Sequence, residues 1–528
     1  MATTLAYTPL EEIEQIHADL RAGFATGKTK SIAFRKYLLL QLAYMLQDNS
    51  DAFVEALAKD LGRPQLETTF LEIGGSLSEL VEAYKNVDAW AAPEKPPRKL
   101  NFMFMNPVSY KEPKGTVMII AAYNYPLFLT FVPLAGAIAA GNTVVLKPSE
   151  ACAAVARLMT ELMPKYVDPA YIRVVNGAVA ETTKMLDLPW DHILYTGSAR
   201  VGKIVATAAA KHLTPVSLEL GGKSPVFVDP SSDLKLAAKR ILWGKIANGG
   251  QTCVAPDYVM VPKEGQDKLV EEFKNAYAEF YPEAITTPPT APHNTTTKMV
   301  NEAAFKRVYG ILANTKGNVV FGGTELSDEA TKFIAPTVVR DVGFQDSLMS
   351  EEIFGPVLPI VPVENMDAAL DYVNAHGHPL ALYVFTQNDA LKKKIFTNTQ
   401  SGSATANETI IIPGITGLPF GGVGGSGYGA HTGKHGFDMF THVRASIDVP
   451  GWIDKLLGAR YPPYTDKKLN LLKTTLMPKL PARPKGPPAV ATSASGGARK
   501  WFLLALAVAV AGALTKLKTA GVGLVRGA

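Results

Sequence analysis

From Lys114 onward short apolar runs alternate with helical stretches, and that alternation leaves few folds open. Thr116 to Ala121, Thr143 to Leu146, Ile172 to Val175, His192 to Tyr195 and Pro225 to Val228 are bounded by Gly, Pro, Asn or Asp, and helical stretches such as Leu127 to Ala140 and Ala151 to Met163 separate them. Runs this short and apolar read as strands buried on both faces, and a helix between successive strands imposes a parallel, doubly wound sheet. A second series, Tyr258 to Val261, Val319 to Phe321, Leu358 to Val361 and Ala381 to Phe385, predicts a second α/β domain. At 528 residues the chain is long enough for two or three cores. Upstream, Ile13, Ile16, Leu20 and Phe24, then Phe53, Leu57 and Leu61, recur at helical spacing, so Pro9 to Ala92 reads as a helical lead-in. Alternating Phe102, Phe104, Val108 and Tyr110 predict a hairpin leaving the body between Lys99 and Lys114.

The formal net charge of +5 is unevenly placed. From Lys455 onward 13 Lys and Arg face one acid, Asp466, a local +12 that leaves −7 on the preceding residues. The basic surface therefore belongs to the tail, and no nucleic-acid partner is expected. Cys152 and Cys253 are too few for a disulfide framework, and without a CxxC pair no metal is expected; a reducing compartment fits. Met1 to His17 carries Glu11, Glu12 and Glu14 where a secretory signal needs a basic start and an apolar run.

Four segments carry candidate chemistry. In Asn248-Gly249-Gly250-Gln251-Thr252-Cys253, glycines present a lone cysteine on a tight loop, where its thiolate would be a strong nucleophile if the site lowers its pKa from ~8.5; a cysteine taken at random is more often buried and inert. In Glu219-Leu220-Gly221-Gly222-Lys223-Ser224, an acid ends an apolar strand, which suits a water-activating base in an apolar pocket as well as a surface ion pair. Gly222-Lys223-Ser224 imitates the end of a phosphate-binding loop, but Ser217 stands where that loop needs its first Gly. Asn124, just after a strand, can donate to a developing oxyanion, though Asn before an aromatic and Pro is also a good turn former. Tyr195 to Gly202 leads a strand into a helix through Gly197 and Ser198, whose backbone donors suit a pyrophosphate. Gly422 to Gly427 imitates a dinucleotide fingerprint without a clean strand before it, and reads as a loop.

Together these segments resemble the aldehyde dehydrogenase superfamily over roughly Leu10 to Val449, most closely its class 3 branch, which includes the membrane-anchored fatty aldehyde dehydrogenases. The family's motifs match at Asn124, Lys147 to Glu150, Gly197-Ser198, Glu219, Cys253 and Glu352 to Pro356. The resemblance implies a doubly wound cofactor domain (1–98 and 115–220), an α/β catalytic domain (221–430) and a small bridging β arm (99–114 and 431–455) that joins a homodimer. It implies NAD, with NADP as the alternative: Lys147 and Glu352 at ribose hydroxyls, Phe354 at the nicotinamide, Gly197, Ser198 and Gly202 near the pyrophosphate, and Glu150 accepting from a ribose 2′-hydroxyl. Cys253 would be the nucleophile, Asn124 the oxyanion donor and Glu219 the base. Tyr123, Tyr195 and Ser350 depart from the family's common residues and are expected to reshape the substrate tunnel. An acylating or reductive relative using CoA thioesters and an inactive membrane scaffold are the alternatives, and the intact Asn124, Glu219 and Cys253 set argues against both.

Residues 461–500, rich in Pro, Lys, Gly, Ser and Ala, predict a flexible basic linker. Trp501 to Leu514 is a run of 14 uncharged, mostly apolar residues, short of the ~20 of a comfortable spanning helix. Thr515 to Val525 extends it with Lys516 and Lys518, whose stems can snorkel, and Arg499, Lys500 and Trp501 suit an interfacial anchor. The expectation is a C-terminal membrane anchor at 501–525, with a membrane-surface amphipath second. The enzyme would face the cytosol from the endoplasmic reticulum or peroxisome and act on lipophilic aldehydes.

Overall fold

The computed structural model of the chain describes residues 5–97, 102–282, 296–484 and 486. Contacts divide it into two units, Met1–Arg98 with Met105–Asp448, and Lys99–Phe104 with Val449–Ala528.

In the first unit, strand β1 (Val108–Pro113) is followed by β2 (Thr116–Ile120), β3 (Thr143–Lys147), β4 (Ile172–Val174), β5 (His192–Thr196) and β6 (Val216–Glu219). The strands β6, β5, β2, β3 and β4 lie side by side in that order, all parallel. Successive residues of β2 serve opposite faces, which is why the run is apolar throughout. Val117 and Ile119 join a core with helices Ile32–Asp48, Gly75–Ala91, Phe128–Ala140 and Ala153–Tyr166, whereas Met118 and Ile120 meet helix Leu10–Ala25 through Ile13, Ile16 and Leu20.

A second sheet is built from β7 (Pro225–Val228), β8 (Tyr258–Pro262), β9 (Asn318–Phe321), β10 (Thr337–Arg340), β11 (Val357–Val363), β12 (Ala381–Phe385) and β13 (Ser403–Ala406), in the order β13-β12-β7-β8-β11-β10-β9, with only β9 antiparallel to its neighbour. Helices Leu234–Ile246 and Lys263–Phe280 cover one face, and Glu302–Ala313 and Met366–Asn374 the other.

The last part of this unit returns to the first sheet. Strand β14 (Gly427–Tyr428) pairs antiparallel with β6, placing Gly427 opposite Glu219. Helix Gly433–Met439 packs on Phe128–Ala140, where a Cβ on Gly136 would come within 2.6 Å of the Gly436 backbone, so no side chain fits there. Phe437 and Phe440 complete the first core, so the segment expected as arm from residue 431 begins as core.

Of the hairpin expected between Lys99 and Lys114, the described residues form one strand, β1, which pairs antiparallel with β15 (Thr441–Ser446), Val108 opposite Ser446, in the stretch where the family resemblance implied a further strand of the arm. The alternation was a true strand signal, but the partner lies more than 300 residues away in sequence. The segment expected to be a flexible linker contains helix Asp466–Leu476. Thr465 accepts from the Lys468 N–H, Asp466 opens the helix and Lys473 closes it, which favours helix over the local composition. The expected anchor at 501–525 lies outside the described residues; among the described residues no helix is long and apolar enough to cross a membrane.

Candidate active site

Helix Leu234–Ile246 ends at a turn in which Asn248, Gly249 and Gly250 take φ of 55°, 60° and 72°, a left-handed run that reverses the chain into Thr252 and Cys253. Asn248 holds the turn by donating to the carbonyls of Asn124 at 2.8 Å and Gln251 at 3.0 Å. Tyr125 hydroxyl and Thr252 Oγ1 lie 2.7 Å apart, a further tie between the Asn124 loop and the cysteine loop. Cys253 thereby stands in the walls of two cavities, one of about 890 Å³ and one of about 1480 Å³.

The smaller cavity opens at the C-terminal edge of the first sheet, the usual ligand position in open α/β folds. Cys253, Glu219, Asn124, Lys147, Glu150, Gly197, Ser198, Glu352 and Phe354 all line it. Gly202 does not: it is buried in helix Ala199–Ala210, where a Cβ would meet Leu220 Cδ2 at 3.0 Å, so it serves helix-to-strand packing.

Glu219, at the end of β6, is 2% exposed, and neither carboxyl oxygen has a hydrogen-bond partner among the described residues. Burial alone drives its pKa well above the carboxylate range. Burial, then the neighbouring Asp257, raises Glu352 to about 8. The expected lowering of the Cys253 thiol is not found. Burial, followed by the charges of Glu352 and Glu219, pushes it up to about 12, against the backbone N–H groups of Cys253 and Val254. Burial thus shifts all three groups toward their protonated forms, and a charged carboxyl at Glu352 or Glu219 opposes formation of the Cys253 thiolate.

Several residues to which the sequence reading gave no place in the site hold this centre. Lys223 Nζ donates to Asp257 at 2.5 Å and to the carbonyls of Leu348 and Glu351, and Asp257 accepts from the Ile353 N–H at 2.9 Å. Arg307 donates to the Glu352 carbonyl at 3.1 Å and the Ile353 carbonyl at 2.7 Å, so the loop bearing Glu352 and Phe354 is held from both sides. Lys223 stands inside the Glu219 to Ser224 segment, where it was weighed only against a phosphate-binding loop, and Asp257 follows Cys253 by four residues without a signal of its own. Arg63 gave none beyond its place between a helix-ending Gly62 and Pro64.

The lining of the smaller cavity fits a dinucleotide. Ser198 caps helix Ala199–Ala210, leaving its first N–H groups toward the cavity edge, and a Cβ on Gly197 would strike the Tyr195 hydroxyl at 2.3 Å. Lys147, at the end of β3, reaches Glu150 at 2.6 Å and supplies a cation beside it. Tyr123 packs edge-on to Phe354 with ring centroids 6.1 Å apart. Tyr123 and Tyr195 line this cavity, and Ser350 lines neither. None of the three departures lines the larger cavity. That cavity is walled mostly by apolar side chains, among them Leu66, Phe70, Phe128, Ile411, Ile415 and Phe420, with Arg63, Gln65, Thr69 and Lys298 as polar members of its lining.

Residues 2–446 match the Aldehyde dehydrogenase family. The chain is 42% identical over 463 residues to aldehyde dehydrogenase family 3 member B1 of Rattus norvegicus, covering 88% of this chain and 97% of the relative. It is 41% identical over 454 residues to the dimeric NADP-preferring aldehyde dehydrogenase of Canis lupus familiaris, covering 86% and 98%. Among solved structures, substrate-bound AldH of Staphylococcus aureus superposes with a TM-score of 0.83 at 38% identity, covering 88% of this chain and 99% of that one. A mutant of aldehyde dehydrogenase C from Pseudomonas syringae, complexed with NAD+ and octanal, gives 0.75 at 26% identity, covering 84% and 90%. With the fold, the cavity and these likenesses in agreement, the chain belongs to the aldehyde dehydrogenase family, in its class 3 branch, and is an NAD(P)-dependent enzyme that oxidises aldehydes.

Proposed function

We propose that the chain oxidises medium- and long-chain lipophilic aldehydes, fatty aldehydes or comparably long apolar ones such as apocarotenals, to carboxylic acids through a thioester on Cys253. The observation that carries this reading is the apolar cavity of about 1480 Å³ that ends on Cys253. Its volume exceeds the ~300–1,000 Å³ usual for a small-ligand site, which suits a long chain better than a short polar one.

In the reaction, Cys253 gives its thiol proton to solvent water and its Sγ bonds to the aldehyde carbon, while the Asn124 amide with the Cys253 N–H stabilises the oxygen that gains charge. The bound dinucleotide supplies the hydride acceptor. Glu219 takes a proton from the water that attacks the thioester carbon, the C–S bond breaks, and the acid leaves with Cys253 restored. Lys147, Glu150, Glu352 and Phe354 hold the cofactor. Retention of Glu219, aimed into the cavity without a partner, favours hydrolysis over transfer to CoA.

A chain-length series tests the substrate. Each buried CH₂ adds ~0.8 kcal/mol, so kcat/KM should climb roughly 4-fold per carbon until the cavity fills. A preference for acetaldehyde over decanal would overturn the lipid reading. The basic, apolar tail supports membrane attachment at the endoplasmic reticulum or peroxisome, facing the cytosol. Truncation before Trp501 is expected to leave chemistry on dispersed substrate intact while lowering activity on vesicle-held aldehyde. The β1–β15 ribbon, with exposed Val443 and Tyr110, supports a homodimer, as does the dimeric relative.

NAD is the expected favourite, because the Glu150 carboxylate beside Lys147 repels a 2′-phosphate. Glu150→Gln should raise kcat/KM for NADP by about 10-fold, the worth of ~1.4 kcal/mol of relieved repulsion, and leave NAD little changed. Steady-state kinetics with both cofactors decides, and a wild-type preference for NADP refutes the Glu150 argument alone.

A further inference from the structure

Among the described residues Arg63 is the largest fully buried side chain, and its guanidinium sits where three segments of the chain meet. Nη1 donates to Glu72; Nη2 donates to the backbone carbonyl of Asn124 and to Asn248 Oδ1; Nε donates to Asn248 Oδ1 at 3.1 Å. The other Glu72 oxygen accepts from the Leu127 and Phe128 N–H groups, both at 2.9 Å, at the start of helix Phe128–Ala140. The guanidinium also lies 5.0 Å from the Tyr125 ring centre. One side chain thus grips the loop bearing Asn124 and, through Asn248, the left-handed turn that delivers Cys253.

The Asn124 carbonyl accepts from both Arg63 and Asn248, so the backbone of that residue is fixed and its side chain is left to line the cavity. We propose that Arg63 is a positioning residue for the oxyanion hole: its planar fork sets the Asn124 amide at a fixed reach from the Cys253 N–H, without itself touching the reacting atoms. The proposal rests on the reading of Asn124 and Cys253 given above and adds a residue to it. A Lys at this position would keep the charge beside Glu72, but a single ammonium on a flexible stem cannot hold the Asn124 carbonyl, Asn248 and Glu72 in one plane.

The test is Arg63→Lys in the full chain, with turnover expressed per active site by counting sites through covalent labelling of Cys253. Displacing an oxyanion donor by about an ångström costs on the order of 100-fold in kcat, so a loss of that size is expected, with the Kd for NAD unchanged because Arg63 is not in the cofactor cavity. In an Asn124→Ala background the same substitution should cost no more than roughly 2-fold, since the group it positions is gone. A merely structural role would lower the number of active sites and leave both kcat per site and this coupling unmoved. Wild-type kcat per site in Arg63→Lys, or an equal loss in the Asn124→Ala background, overturns the proposal. If Arg63→Lys does not fold, Asn248→Gly tests the same clamp, because glycine tolerates the left-handed turn and the Arg63–Glu72 pair remains. The same coupling to Asn124 is expected, and full additivity again refutes it. A wild-type enzyme that oxidises no aldehyde would instead sink the proposed function.

Discussion

Cys253→Ala is expected to abolish NADH production with every aldehyde, a loss of about 10⁴-fold or more, the scale of deleting a covalent nucleophile. The other cysteine cannot substitute. Cys152 is buried, its thiol donates to the Tyr123 carbonyl at 3.3 Å, and it lines neither cavity. Ester hydrolysis should disappear in the same variant, because a thioester pathway for esters uses the same sulfur. Cofactor affinity should persist, since the residues proposed to hold the dinucleotide are untouched. Steady NADH formation within 10-fold of wild type would end the thioester mechanism, whatever the substrate.

Glu219→Gln separates the two halves of the reaction. The thioester should still form, giving a burst of about one NADH per site, and steady turnover should then fall by about 10²–10⁴-fold, the usual contribution of a general base. The amide is nearly the same size and the site offers the carboxyl no hydrogen bond to lose, so folding should be little disturbed. The pH profile gives a second signature. Because burial raises the Glu219 pKa above the ordinary ~4.3, its base form appears at higher pH than that of an exposed carboxylate. Wild-type steady turnover should therefore rise with pH, and the Glu219→Gln profile should lose the part of that rise that the carboxylate supplies. Loss of the burst itself would assign Glu219 to activating Cys253.

The parallel sheets were legible because both faces of each strand are covered, so Pro225–Val228 and Ala381–Phe385 announce themselves as unbroken apolar runs. Glycine turns and strand ends drew notice to Cys253, Glu219 and Asn124, each with a bland reading beside it, and the ordered set of family motifs supplied the roles proposed for them. The chemistry of their surroundings was not legible. The Cys253 thiol is raised by burial first and then by two carboxyls, of which Glu352, 99 positions away, must fold back beside it. Arg63 meets Asn248 across 185 positions, and no local pattern announces such a contact. Strand β14 is two residues long, too short for any periodicity, and helix Asp466–Leu476 was hidden by the proline- and lysine-rich residues around it.

The pairing of Gly427 with Glu219 has a consequence for how the chain is made. A ribosome adding about 5–20 residues per second releases the cofactor-side strands early, yet Phe437, Phe440 and the strand that seals the free edge of β6 emerge roughly 10–45 s after Glu219. Throughout that interval the nascent first sheet presents an unsealed edge, and helix Phe128–Ala140 lacks the cover of Gly433–Met439. Synthesis of this enzyme therefore passes through a long-lived, aggregation-prone half-molecule. Ribosomes stalled between residues 250 and 420 should carry chaperone-bound, protease-sensitive chains, and protection of the first sheet should arrive only once residue 440 has cleared the exit.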